Sequence, residues 1–128
     1  MGSPFFVIFS TKQILMATLK FEEVPYEVVR EGLNRKIIHT EHLMTVLIDF
    51  TDGPWAEPEP KHSHPHEQTS YIASGKVLFL CGDEAPVELN AGDMFAVPSG
   101  VPHTIQLLSA NARLVDSFNP VREDFLKK

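Results

Sequence analysis

The chain has 128 residues, 43% of them hydrophobic, with a formal net charge of −6 and a pI of about 5.4. That length suits one domain that buries its own core, so neither disulfides nor metal is needed merely to fold it. The absence of any basic cluster excludes the dense phosphate contacts of a nucleic-acid-binding protein, although one local Arg still suffices for a small anion.

Met1-Gly2-Ser3 reads as a cloning remnant. The apolar run Phe5-Phe6-Val7-Ile8-Phe9 is too short to span a bilayer, and no positive residue precedes it, so it makes a poor signal peptide. Residues 1–16 are therefore expected to be a remnant or an extra N-terminal edge strand, with the domain proper at 17–128. No membrane partner is expected. An apolar edge invites pairing with a second copy, and a two-fold homodimer is the expected assembly. Cys81 is the single cysteine, which rules out an intrachain disulfide and fits a reducing, cytoplasmic setting. Following Val77-Leu78-Phe79-Leu80, it is expected to be a small buried hydrophobe rather than a nucleophile.

Beyond residue 25 the pattern is short β-type runs punctuated by Gly, Pro, Asn and Asp. Strands are predicted at 26–29, 35–39, 45–50, 69–74, 76–81, 87–89, 94–97, 103–108 and 112–118. Turn signals lie at Asp52-Gly53-Pro54, Gly82-Asp83, Asn90-Ala91-Gly92-Asp93 and Pro98-Ser99-Gly100. The ten prolines count against helices, and only residues 122–128 could form a helical turn. The whole reads as an all-β sandwich or barrel. Trp55 sits in the Pro-rich loop 51–60, which either forms one lip of a barrel mouth or lays its Trp over the core.

The stretch Lys61-His62-Ser63-His64-Pro65-His66-Glu67-Gln68 holds three histidines within five residues. In a strand, residues two apart share a face, so His62 and His64 can project inward onto one ion. Imidazole is the commonest protein ligand for Zn, Ni, Cu and Fe. Pro65 interrupts the run, and His66 is expected beside the site or at its mouth, with ligation as the lesser alternative.

The spacing resembles the two motifs of the cupin family, G-x5-H-x-H-x3/4-E-x6-G and G-x5-P-x-G-x2-H-x3-N. His62-x-His64 is followed after three residues by Gln68 and after six more by Gly75; Gly92, Pro98, Gly100 and His103 fit the second motif. The resemblance covers roughly residues 56 to 107. It implies a cupin-type jelly-roll β-barrel with one divalent transition-metal ion (Ni, Zn, Fe, Mn or Cu) on His62, His64, His103 and Gln68. The positions depart from the pattern at Ala56, at Leu107 and at Gln68, where the family usually carries Gly, Asn and Glu. The third departure touches chemistry. An amide leaves the 2+ charge uncompensated, which favours Lewis-acid behaviour and anion binding over the carboxylate-bearing triad of many Fe(II) oxygenases.

The ending Asp116-Ser117-Phe118-Asn119-Pro120-Val121-Arg122-Glu123-Asp124-Phe125-Leu126 narrows the resemblance. Together with the histidine run it is similar to the pectin-degradation cupins, the KdgF family, which also use Gln among the ligands and which linearise unsaturated uronates. The family's active-site Asp, Phe and Arg then fall on Asp116, Phe118 and Arg122, and the implied partner is a small anionic sugar acid. From the residues alone, Asp116 is conspicuous as a carboxylate inside an apolar run. Two other readings would share this cavity: a non-catalytic cupin binding metal and a small anion, and a cupin dioxygenase or sugar isomerase.

Overall fold

The computed structural model describes residues 18–127. The N-terminal run 5–9 and the expected edge strand at 1–16 lie outside these residues. Among the described residues no helix is long and apolar enough to cross a membrane.

Nine strands form among the described residues: β1 (Glu27–Arg30), β2 (Leu33–His39), β3 (Met44–Phe50), β4 (Glu67–Ser74), β5 (Lys76–Cys81), β6 (Val87–Asn90), β7 (Met94–Val97), β8 (His103–Leu107) and β9 (Ala112–Asn119). Each predicted run is recovered within two residues at either end. A 3-10 turn at Phe21–Glu23 precedes them, and a single helical turn, α1 (Glu123–Leu126), follows in the tail where helix was expected.

All pairings are antiparallel. A six-stranded sheet has the order β1-β2-β3-β9-β4-β7, and a three-stranded sheet the order β6-β5-β8. The chain crosses between sheets at Gly75, whose φ of +87° only glycine adopts without strain. A Cβ there would also lie 2.4 Å from the Asn111 carbonyl oxygen, so the corner has no room for a side chain.

Alternation sets the inner face. On β9, Ala112, Leu114, Asp116 and Phe118 are buried; on β4, Gln68, Ser70 and Ile72 are. The interior divides into two apolar clusters. Phe50, Ile72, Val77, Leu107, Ala112 and Leu114 fill one end, with Trp55 packed against them. Met44, Val46, Phe118 and Val121 fill the other, closed by Phe125 and Leu126 of α1. Leu107, where the motif would have Asn, is fully buried in the first cluster.

Of the two readings of Trp55 the second holds: its ring rests edge-on against Phe50, at the end away from the histidines, and covers the core. One expectation changes. Cys81 is only half-buried, because it ends β5 opposite His103 rather than lying within the apolar run.

Candidate metal centre and catalytic site

The residues 61–66 do not form a regular strand. Only His62 pairs, through a single bridge to His103, with backbone bonds of 3.0 and 2.9 Å in the two directions. The expected strand face is therefore not what aligns His62 and His64. The loop is held instead by this bridge and by the Gly100 amide, which donates to the His64 carbonyl at 2.8 Å. Gly100 adopts φ +79° at the end of the Pro98-Ser99-Gly100 turn, so the second motif's turn clamps the first motif's histidines.

The result joins His62, His64 and His103, whose ligand atoms lie within 4.8 Å of one another, in a group able to hold one metal ion. His64 and His103 are buried and His62 is exposed, so the trio opens to solvent on one side. His66 stands outside the trio, its ring centroid 5.6 Å from that of His64, as expected for a neighbour of the site.

Tautomers follow from the partners. A carbonyl only accepts, so the ring nitrogen facing one carries the proton. His64 donates from Nδ1 to the His66 carbonyl at 2.9 Å, and His103 from Nδ1 to the Val101 carbonyl at 2.8 Å. Both rings thus turn an Nε2 lone pair inward. Partial desolvation lowers the pKa of the His62 and His103 imidazoles, with nearby positive charge adding to the effect and, at His103, the Val101 hydrogen bond opposing it; the net direction favours the neutral, ligating form.

Gln68 joins this group from the start of β4. Its Oε1 lies 3.1 Å from His64 Nε2, while its Nε2 donates to Ser70 Oγ at 2.9 Å. Ser70 in turn donates to Asp116 Oδ1 at 2.6 Å. The arrangement sets an amide oxygen against an imidazole lone pair, an unfavourable contact unless a cation lies between them. His103 Nε2 is buried with no hydrogen-bond partner among the described residues. Converging acceptors with no donor are what a divalent transition metal requires, so the donor set fits the expected ion.

Asp116 sits opposite Ser70 in the β4–β9 ladder and is 7% exposed. Burial pushes its carboxyl up to about 6, against smaller opposing effects of the Ser70 hydrogen bond and the Arg122 charge. Phe118 lies two residues on along the same inner face, its ring 5.8 Å from that of His64. Arg122 returns over this end of the barrel, its guanidinium 5.2 Å from the Phe118 ring centroid and 4.1 Å from that of Phe125. It is held side-on by Asp124, at 3.1 Å from Nε and 2.9 Å from Nη2.

All seven residues singled out from the sequence thus gather at one end of the barrel. Sequence reasoning passed over two others, Ser70 and Asp124. Ser70 carried a usable signal, since it shares strand parity with Gln68. Asp124 carried none, because its pairing depends on how the tail folds back.

Comparison with known proteins identifies the family. The Cupin domain family model matches residues 50–118. The pectin degradation protein KdgF of Dickeya dadantii is 33% identical over 107 residues, which cover 82% of this chain and 94% of that protein. Among solved structures, KdgF from Halomonas sp. superposes with a TM-score of 0.77 at 28% identity, covering 86% of this chain and 98% of its own. An RmlC-like cupin from Shewanella frigidimarina gives a TM-score of 0.76 at 34% identity, covering 86% and 96%. The chain therefore belongs to the cupin family, among its KdgF-like members.

Proposed function

We propose that this protein is a metal-dependent cupin that opens and linearises 4,5-unsaturated uronates, such as the unsaturated galacturonate released during pectin breakdown. The observation that carries the reading is Asp116. It is a buried carboxyl with a raised pKa, linked through Ser70 and Gln68 to the histidine trio, sharing its face with Phe118 and within reach of the Arg122 charge. The relationship to two proteins named KdgF supports the substrate class.

The substrate's ring form is both a cyclic hemiacetal and an enol ether. Asp116, as the carboxylate, takes the proton of the anomeric hydroxyl. The C1–ring-oxygen bond breaks as the C1 carbonyl forms, and the enolate so released takes that proton back from Asp116 at C4 to give the 5-keto-4-deoxyuronate. Protons balance, no redox partner is needed, and Asp116 ends as it began. A carboxyl titrating at about 6 has both of its forms accessible near neutrality, as an acid–base catalyst needs. His62, His64, His103 and Gln68 would hold the ion, which when bound would supply Lewis-acid polarisation of substrate oxygens. Ser70 occupies Asp116 Oδ1 and leaves Oδ2 for the substrate.

Arg122 is assigned the substrate carboxylate. Asp124 takes its Nε and one Nη2 hydrogen side-on, which leaves the end-on pair of the guanidinium for a second carboxylate. Arg122→Lys is expected to raise KM about 10-fold or more, since an ammonium cannot make the paired bonds. Steady-state kinetics on unsaturated galacturonate check this; an unchanged KM would remove Arg122 from binding. Asp124→Asn is expected to raise KM by a smaller factor, because it loosens the guanidinium without removing it. The function as a whole is tested by the loss of unsaturated-uronate absorbance, measured with metal-replete protein against an uncatalysed control.

A further inference from the structure

We propose that Ser70 is the positioning residue of this site, fixing which end of the Gln68 amide faces the histidines and how the Asp116 carboxylate is turned. The inference rests on the reading above, in which Gln68 is a ligand and Asp116 moves protons. Ser70 is 3% exposed, on the inner face of β4 between Gln68 and Ile72 and opposite Asp116. Its hydroxyl has a single proton. An ionised carboxylate can only accept, so that proton points to Asp116 Oδ1 at 2.6 Å. The Oγ lone pairs are then open only to a donor, and the Gln68 amide nitrogen fills that place at 2.9 Å. With its nitrogen committed, the amide turns its oxygen to His64 Nε2 at 3.1 Å.

Remove the hydroxyl and this order is lost. The amide can then turn half a revolution and donate its N–H to His64 Nε2. That hydrogen bond is a good one, and it would occupy the lone pair a metal needs while withdrawing the amide oxygen. Asp116 would lose its tether in the same change. A glutamate at position 68 would not meet this problem, because its two oxygens are equivalent. Ser70 is thus the counterpart of having an amide, rather than a carboxylate, at that position.

The test is Co(II) titration of metal-free wild-type protein, Ser70→Ala, Gln68→Ala and the double variant, with affinity and visible absorption spectrum as readouts. Removing a partner that orients a ligand commonly costs about 10- to 100-fold in metal affinity. Ser70→Ala is expected to weaken Co(II) binding by that factor and to alter the spectrum. In the Gln68→Ala background the same change is expected to cost nothing, since its effect runs through the amide. Equal losses in both backgrounds, or wild-type affinity and spectrum in Ser70→Ala, would overturn the inference. In unmutated Zn(II)-loaded protein, nuclear Overhauser contacts should join the Gln68 side-chain NH2 to Ser70 Hβ and not to His64 Hε1; the reverse pattern would overturn it without any variant. Kinetics separate the two levels of the account. A wild-type protein that does not accelerate uronate opening ends the functional reading, while the Co(II) cycle still decides the role of Ser70. If acceleration is present, Ser70→Ala should lower kcat at least 10-fold with KM nearly unchanged.

Discussion

Asp116→Asn is expected to lower kcat by about 10²–10⁴-fold, the usual contribution of general acid–base catalysis, while metal content stays stoichiometric. Asn keeps an oxygen for the Ser70 hydroxyl and nearly the same volume, so the packing of β4 against β9 survives. It cannot accept and return a proton. The same substitution has an opposite effect on stability. The native carboxyl titrates at about 6 and the unfolded one near 3.8, so the native state binds protons more tightly. Stability from this group is complete below pH 3.8 and is lost as pH rises through 6. The ionised form therefore costs metal-free protein on the order of 3 kcal/mol at neutral pH, as an upper figure. Metal-free Asp116→Asn should melt several degrees above wild type at pH 7.5, with the gap closing by about pH 4. Thermal denaturation in the presence of chelator checks this. A variant that is both less active and less stable at pH 7.5 would mean that Asp116 has a structural role instead.

The second large effect concerns His103. Its Nε2 is buried and has no hydrogen-bond partner among the described residues, and its Nδ1 is committed to the Val101 carbonyl. His103→Ala is expected to reduce bound metal far below one ion per chain, and His62→Ala with His103→Ala to remove it. A ligand that binds only the native state stabilises it by about 2.7 kcal/mol at a hundredfold excess over Kd. For a chain of this size that is on the order of 10 °C in melting temperature. Wild type should show such a shift on adding Ni(II) or Zn(II), and His103→Ala should not. Elemental analysis alongside the melts settles whether the ion is bound; unchanged metal content in the double variant would remove the histidines from the ligand set.

The strands were legible because each is a local signal. Alternation such as Ala112 to Phe118 needs no knowledge of the rest of the chain, and turns such as Pro98-Ser99-Gly100 announce themselves. The metal residues were legible for another reason: the distance between His62, His64 and Gln68 is fixed by chemistry. How distant segments meet is not a local signal. Strand parity alone does not align His62 and His64; a bridge to His103 and the Gly100 amide do. The partnership of Ser70 with Asp116 spans 46 positions and depends on β9 inserting between β3 and β4. No local periodicity carries that information. Trp55 was ambiguous for the same reason, since only the β3–β9 register shows that Phe50 and Ala112 lie at the far end from Phe118.

The central claim is that the metal site and Asp116 together catalyse uronate opening. The most direct measurement follows the absorbance of freshly generated 4,5-unsaturated galacturonate with metal-replete protein, with chelated protein, with metal-replete Asp116→Asn and with buffer alone. Fast decay is expected for the first and near-buffer rates for the other three. Decay at the buffer rate with fully metal-loaded wild type would contradict it and leave a cupin that binds without turnover.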